Sequence, residues 1–463
     1  MTIQKTFLFN SKKHHTFKRF KIFNFSKNKT ALSLYISKSL IFQFKKPKTK
    51  YLKMLDSLHI YFKGHLYDVS QWVNKHPGGK KVLQIYNGRD CTEILHATHS
   101  AEALKMLLTF PSFPDTRKEQ EDLEIKRQAF IKLEEELRSK GVFKPNYFLE
   151  FLKLFIVFIS LIEGYLGMYY NPNIYSAILL SLSLYYSGWV GHDYSHHNVN
   201  KNSTKAGAFF NDHIATLLGG IRGTTILWWK KRHNTHHVST NEVSNDPDIK
   251  LMPILHFFEK FVPNKAQKYQ HIYYVPMFFL LHVYWFVESI MICRKNFFNR
   301  NYYERKLARQ DTTYLIIHCM FSGVLISKAG IFYVLTVYYI SGFLTAIVVF
   351  ATHYGEDRLD PNEAKKMSLV EQTLLTSRNI TGFRNTEWDN YIWNWLTGGL
   401  NQQIEHHLFP KTPSYNLGMI TPYVKELAKK HGLEFRNDNI IECTRKCCEK
   451  LHLNVVRNEK KKE

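Results

Sequence analysis

Three clusters of histidine beside long apolar stretches restrict this chain more than any other feature of its sequence. The clusters contain His192 and His196, then His233, His236 and His237, and far downstream His406 and His407, with His353 between the last two clusters. Imidazole nitrogen is a ligand for iron, zinc and copper. Histidine clusters at the ends of apolar stretches therefore predict a metal centre at a membrane face.

The apolar stretches predict helices in or at a membrane. They cover residues 149–170, 174–190, 272–293, 313–327 and 331–351, and Asn171-Pro172-Asn173 predicts a turn between the first two. If the histidine clusters share one site, the chain between the second and third clusters crosses the bilayer an even number of times. We therefore predict that 272–293, which contains Pro276, His282 and Glu288, lies in the interface or re-enters, and that the other four stretches span.

The positive charge is concentrated at one end of the chain. The net charge is +24, yet the first 55 residues hold fourteen Lys or Arg and no acidic residue. This segment suits a basic arm on anionic lipid, a mitochondrial-type transit segment or, as we favour, upstream sequence absent from the mature protein. A nucleic-acid-binding function is disfavoured because the charge sits in this extension. The basic end, which carries Cys443, Cys447 and Cys448, is predicted to be a reduced, solvated tail.

A small polar segment upstream of the apolar stretches carries a second histidine pattern. In His76-Pro77-Gly78-Gly79, glycine lets the backbone pass close to a flat ligand, and His99 follows with apolar residues on both sides. The segment is similar to cytochrome b5. That resemblance implies that His76 and His99 are the axial ligands of a haem, which leaves no open position for oxygen and makes the domain an electron relay. His96 is a weaker alternative ligand.

The spacing within each cluster places its histidines on one helical face. Positions 192 and 196, then 233, 236 and 237, and finally 403, 406 and 407 follow i, i+3 and i+4 spacing, with Gln403 leading the third set. Asp193 is expected to orient a ligand ring. Three such faces supply more nitrogen ligands than one ion can use, so we predict a two-metal site.

These clusters, together with Asn245-Asp246-Pro247-Asp248 and the run from Gly398 to Pro410, resemble the membrane fatty acyl desaturases. Gln403 in place of a leading histidine, with the cytochrome b5 segment, resembles the front-end subgroup. The resemblance implies that seven histidines are both catalytic and metal ligands: His192, His196, His233, His236, His237, His406 and His407. It implies that His353 and Gln403 are further metal ligands. It implies haem b, two non-haem irons and O2.

The resemblance also implies an activity and a setting. A front-end desaturase inserts a cis double bond between an existing one and the carboxyl end of a polyunsaturated acyl chain, and we favour the delta-6 or delta-5 position. Expected partners are an unsaturated acyl-CoA or acyl-phospholipid, NADH-cytochrome b5 reductase and the lipid bilayer, with no nucleic acid. The expected location is the endoplasmic reticulum membrane, with both metal sites facing the cytosol.

The predicted fold class is an α-helical polytopic membrane protein of about four transmembrane helices and a cytosolic helical cap, with an amino-terminal α+β cytochrome b5-like haem domain. The predicted divisions are a disordered basic extension (1–53), the haem domain (54–112), a charged amphipathic linker (113–146), the membrane domain (147–440) and a basic tail (441–463). Two alternatives stay open. One is a sphingolipid long-chain-base desaturase, and the other is a membrane-anchored haem electron carrier whose desaturase half is inactive.

Overall fold

The computed structural model describes residues 57–117, 120–200, 205–251, 254–257 and 263–459. The basic extension predicted for residues 1–53 lies outside the described residues. The described chain is mostly helical, with a small mixed domain at its amino-terminal side. This confirms the predicted fold class.

The amino-terminal domain is a three-stranded antiparallel sheet with short helices. The strands, in the order β1-β2-β3, and the helices are β1 (His59–Phe62), β2 (His65–Asp68), α1 (Lys80–Ile85), α2 (Thr92–Thr98), α3 (Ala101–Leu107) and β3 (Ser112–Pro114). Ile60 and Phe62 alternate with half-buried residues along β1, so one face of the strand packs on the core. The predicted domain boundary at residue 112 falls inside β3, whose pairing with β2 extends to Pro114.

The predicted amphipathic linker contains helix α4 (Glu121–Ser139). Phe130, Leu133 and Leu137 are buried, which fits their helical spacing in the sequence. Phe130 stacks on Phe409 with ring centroids 5.2 Å apart. The linker helix is therefore packed against the segment that follows the third histidine cluster.

The next part of the chain is helical. Its elements are α5 (Tyr147–Tyr170), α6 (Ile174–Ser195), α7 (Lys205–Arg222), α8 (Ile226–His237), α9 (Gln270–Tyr273), a 3-10 turn (Pro276–Leu280), α10 (Leu281–Asn296), α11 (Tyr302–Ala329) and α12 (Ile331–Ala351). Asn173 caps α6 by accepting a hydrogen bond from the backbone N–H of Ser176. A Cβ atom on Gly164 would lie 2.9 Å from the backbone of Leu180, so the α5–α6 hairpin is closely packed.

Four helices in the described part of the chain are long and apolar enough to cross a membrane. They are Tyr147–Tyr170, Pro276–Asn296, Tyr302–Ala329 and Ile331–Ala351. The number agrees with the prediction, but the set does not: α6 is absent from it and Pro276–Asn296 is present. Several serines lower the apolarity of α6, although Ser181 and Ser183 donate to the backbone carbonyls of Ala177 and Leu179 within the same helix.

The ends of the segment Pro276–Asn296 distinguish a crossing from an interfacial position. Near its start, Phe278 lies 5.4 Å from Phe350, beside the carboxyl end of α12. At its end, the amide oxygen of Asn296 accepts a hydrogen bond from Lys231 of α8. Both ends thus lie near the histidine clusters, whereas a crossing would separate them by the bilayer. This placement favours our prediction that the segment lies in the interface or re-enters.

The rest of the chain covers the histidine clusters. Its elements are α13 (Pro361–Ala364), α14 (Leu369–Thr376), β4 (Asn379–Thr381), α15 (Glu387–Leu396), α16 (Gln403–Leu408), α17 (Leu417–Lys430), β5 (Asn437–Asn439) and α18 (Ile440–Glu459). Strands β4 and β5 pair in parallel. The third cluster therefore lies on α16, within the cap.

The prediction of a solvated tail at residues 441–463 is wrong for its described part, because residues 440–459 form helix α18. Cys443, Cys447, Leu451 and Val455 are buried at intervals of four residues. These residues form an apolar stripe on one face of the helix, while lysine and arginine occupy the others. The basic composition of this end masked that stripe.

Candidate metal centres

The structure brings the eight histidines of the clusters into two adjacent groups. We define the five-histidine group as His192, His196, His233, His237 and His406, and the three-histidine group as His236, His353 and His407. Within each group the nitrogens that could act as ligands lie within 4.8 Å of one another. The two groups adjoin, because the rings of His237 and His407 stack with centroids 4.3 Å apart. Histidines that are far apart in the sequence thus share one buried site.

Distances between ring nitrogens in the five-histidine group fit a shared ion. The Nε2 atoms of His192 and His233 are 2.9 Å apart, and Nε2 of His233 is 2.9 Å from that of His196 and 3.0 Å from that of His237. Two nitrogens that each lie about 2.1 Å from one ion at a right angle are about 3 Å apart. Hydrogen bonding cannot satisfy all these contacts, since a neutral imidazole has one N–H. Nε2 of His406, also in this group, is buried without a hydrogen-bond partner among the described residues.

Burial keeps most of these rings neutral, which is the form that binds a metal. Removal from water holds the pKa of His196, His233 and His406 well below the usual value. The same cause lowers the pKa of His353 to about 3. His236 differs: burial opposes its protonation, but the carboxylates of Asp246 and Asp248 outweigh burial and raise its pKa.

Hydrogen bonds to Nδ1 hold the rings of the three-histidine group in position. Asp246 accepts from Nδ1 of His236 at 3.0 Å, and the backbone carbonyl of Thr376 accepts from Nδ1 of His353 at 2.9 Å. Nδ1 of His407 lies 3.0 Å from the hydroxyl of Thr240. Each contact leaves Nε2 of its ring directed at the site. The roles of Thr240 and Thr376 carry no signal in the sequence, because neither belongs to a motif.

Gln403 lies at the three-histidine group. Its side-chain amide is 2.8 Å from Nε2 of His353 and 3.0 Å from Nε2 of His407. Half a turn of the amide would present its oxygen to the same space. The residue therefore stands where a fourth ligand of this group would stand.

Other polar residues near the clusters have different partners. The expectation that Asp193 orients a ligand ring is wrong. Its carboxylate instead accepts hydrogen bonds from Lys153 at 2.7 Å and from the hydroxyl of Ser414 at 2.6 Å. This buried contact joins α5 and α6 to the segment after the third cluster. His197 contacts Asp212 at 2.9 Å and is in neither group.

The predicted haem ligands face each other in the amino-terminal domain. The rings of His76 and His99 have centroids 6.0 Å apart. Two imidazoles bound to opposite faces of one iron, at about 2.1 Å each, would have centroids about 6 Å apart. Nδ1 of His76 is 3.3 Å from the carbonyl of Gly79, and Nδ1 of His99 is 2.8 Å from the hydroxyl of Thr98. The Nε2 atoms are thus left to an iron between the rings.

The glycine after Pro77 is required by this arrangement. A Cβ atom on Gly78 would lie 2.7 Å from Cε1 of His76, closer than real contacts allow. Any side chain at position 78 would therefore displace the ring. His96, the weaker alternative ligand, does not line the cavity between the two facing rings.

An apolar cavity of about 370 Å³ ends at the histidine groups. Most of its wall is aliphatic or aromatic, and His233, His236, His353 and Gln403 lie at one part of it. Its aromatic and aliphatic lining includes Trp229, Leu255, Leu281, Trp285, Phe350 and Leu400. A cavity with this lining accepts a hydrocarbon chain and brings it to the nitrogens of the site.

A second cavity, also of about 370 Å³, joins the haem pair to the other side of the histidine site. Its wall includes His76 and His99 as well as His196 and His237. A haem between the first two rings would therefore face the five-histidine group across one continuous space.

Comparison with protein families matches two separate parts of the chain, one for each set of histidines. The Fatty acid desaturase family model matches residues 172–438, and the Cytochrome b5-like Heme/Steroid binding domain model matches residues 49–113. The first range contains every member of the two histidine groups, and the second contains His76 and His99.

Curated relatives match along most of their length. An acyl-lipid 8-desaturase of Rebecca salina is 37% identical over 84% of this chain and 90% of its own. A delta(8)-fatty-acid desaturase of Euglena gracilis is 30% identical over 80% of this chain and 89% of its own. The delta(6)-fatty-acid desaturase fat-3 of Caenorhabditis elegans is 30% identical over 81% of this chain and 91% of its own.

Proposed function

Because the chain belongs to the fatty acid desaturase family, in its front-end branch with a cytochrome b5 domain, we propose that it places a cis double bond between an existing double bond and the carboxyl end of an acyl chain. The observation that carries this proposal is the pair of histidine groups at the end of an apolar cavity. That arrangement supports oxidation of a hydrocarbon rather than binding alone.

We assign the ligands from the two groups. The five-histidine group would hold one iron, and His236, His353 and His407, with Gln403, would hold the other. His76 and His99 would hold the haem. When bound, the irons supply the activation of O2 that an unreactive C–H bond requires, and the haem supplies electrons one at a time. Overall, two hydrogens leave adjacent acyl carbons, and they, together with two electrons from the haem and two protons from water, would reduce O2 to two molecules of water.

The protein's own residues prepare this chemistry. Asp246 and the carbonyl of Thr376 hold the rings of His236 and His353 in position, so the ligands do not reorganise. Trp285 and Phe350, in the cavity wall, keep water from an acyl chain that lies against the site. The length of the cavity beyond the histidines would select the carbons that react.

For the position of the new bond, the first to test is delta-8. Two relatives that are 37% and 30% identical carry that position in their names, whereas a delta-6 relative is 30% and a delta-5 relative 27% identical. Delta-6 or delta-5, which the sequence led us to favour, are the other outcomes of the same experiment. All are front-end positions.

We further propose the surroundings of the enzyme. Its substrate is an unsaturated acyl chain on coenzyme A or a phospholipid, and NADH-cytochrome b5 reductase supplies its electrons. It lies in the endoplasmic reticulum membrane with both metal sites toward the cytosol, where reduced cysteines such as Cys447 are stable.

The test is expression of the full chain in a host that is fed defined unsaturated fatty acids, with mass spectrometry to locate any new bond. A new double bond on the carboxyl side of an existing one supports the proposal. New unsaturation only in long-chain bases would replace it with the sphingolipid activity. A chain that carries haem but binds no non-haem iron and makes no product would instead support the electron carrier.

A further inference from the structure

A buried ion pair joins the haem domain to the desaturase half. The guanidinium of Arg89 donates to both carboxylate oxygens of Glu242, at 2.6 and 2.8 Å, and the two side chains are 6% and 1% exposed. Arg89 lies between α1 and α2 of the haem domain, and Glu242 lies five residues after His237. A bidentate pair of this kind fixes direction as well as distance.

The carboxylate of this pair lies on the loop that supports the three-histidine group. The backbone carbonyl of Glu242 accepts a hydrogen bond from the N–H of Asp246 at 3.0 Å. Asp246 in turn holds the ring of His236. The haem domain is thus anchored to the same loop that orients an iron ligand.

A second contact joins the two halves beside the haem. The ammonium group of Lys411 donates to the backbone carbonyl of His99 at 2.8 Å. Lys411 comes four residues after His407, so one short segment connects a ligand of the iron site to a ligand of the haem. At a third contact the carboxylate of Glu93, on α2, accepts from the backbone N–H of Leu369 at 3.0 Å.

We propose that Arg89 and Glu242 form a clamp that positions the haem domain for direct electron transfer to the iron site within one chain. This inference rests on the proposed function. Arg89 is buried and faces the desaturase half. Electron transfer slows steeply with separation, so loss of the clamp slows it even when both metal centres are intact.

The test reverses the charges in the full chain, reconstituted in lipid. The variants are Arg89→Glu, Glu242→Arg and the double reversal, with Lys80→Glu as the matched control, since Lys80 is an exposed cation on the same domain. The measurement is the rate at which reduced haem is reoxidised after addition of substrate and O2, followed by haem absorbance. The haem absorbance spectrum before substrate and O2 are added reports whether the haem domain is intact.

We expect each single reversal to slow reoxidation at least about tenfold, because two buried like charges then repel each other where the clamp held the haem domain. The double reversal should return the rate to within about threefold of the unmodified protein. The control should be unchanged. Added cytochrome b5 should restore product formation by Arg89→Glu, because its iron site is intact.

Unchanged reoxidation in both single reversals would overturn the clamp, and so would a double reversal as slow as the singles. If the reversals do not accumulate, Arg89→Gln replaces them, and an unchanged rate there is equally decisive against the clamp. Hydrogen exchange of residues 239–246 needs no turnover: Arg89→Glu should raise it and Lys80→Glu should not. A chain that makes no product but shows this exchange difference would refute the proposed function and retain the clamp.

Discussion

The haem pair and the two histidine groups use the same side chain but are assembled in different ways. His76 and His99 belong to one small domain. Their Nδ1 atoms contact Gly79 and Thr98, respectively, and each of these residues is close in the sequence to the histidine that it contacts. The histidine groups draw on α6 and the residue after it, on α8 and α16, and on His353, which lies two residues after α12. The haem pair thus depends on local structure, whereas the iron site forms only when the membrane helices and the cap are packed together.

The largest expected effect separates the two centres outright. His236→Ala should abolish desaturation and leave the haem spectrum intact, because it removes a nitrogen from the three-histidine group alone. His76→Ala should remove the haem spectrum and leave the iron bound. Product analysis, absorbance and iron content are the measurements.

His213→Ala, a change at an exposed histidine outside both groups, is the control and should retain both centres. Activity retained by His236→Ala would remove that residue from the ligand set. Loss of both centres in either variant would mean that they are not independent.

A smaller effect should follow from weakening the hydrogen bond that holds the ring of His236 in position. Asp246→Asn replaces the carboxylate that holds Nδ1 of His236 at 3.0 Å. Changes of this type lower metal affinity or activity by about 10–100-fold. Asp122→Asn, at an exposed helix position, should have no effect on either. Equal iron affinity and activity in the two variants would show that Asp246 does not orient the ring.

The haem site should be sensitive to a single added methyl group. Gly78→Ala would put a carbon 2.7 Å from Cε1 of His76, so we expect haem retention to fall several-fold with no change in iron content. Gly323→Ala is the matched control, because nothing lies within 4 Å of its added carbon. Full haem retention in Gly78→Ala would show that the ring can move without loss of the ligand.

The smallest effect concerns the contact between the two halves. Burial raises the pKa of Glu93 from 4.5 to about 7. The folded state therefore binds the proton more tightly than the unfolded state, and stability falls as the pH rises from about 4.5 to about 7. Above that range the folded state has lost at most about 3 kcal/mol of its free energy of unfolding.

Glu93→Gln keeps an acceptor for the backbone N–H of Leu369 but cannot ionise. It should melt at a higher temperature than the unmodified chain at pH 8, with little difference at pH 5, as followed by loss of haem absorbance. An equal difference at both values would mean that the Glu93 carboxyl group does not ionise in this range.

The spacing of the histidines is the signal from which the sequence predicts the haem pair and the metal ligands, and the structure brings each of these sets of histidines together. The burial of Cys447 and Leu451 was missed since lysines dominate the composition around them. Composition alone also ranks Pro276–Asn296 above α6 as a membrane span, because the serines of α6 lower its apolarity; composition does not show that they bond within their own helix. Residue contacts set by packing, such as Arg89 with Glu242, leave no periodic trace in the sequence.

The most direct test of the account is the number of non-haem irons per haem in the purified full chain. The two histidine groups predict two irons for each haem, with iron lost from His236→Ala and haem lost from His76→Ala. A chain that makes the desaturated product with one non-haem iron or none per haem would contradict the two-iron site.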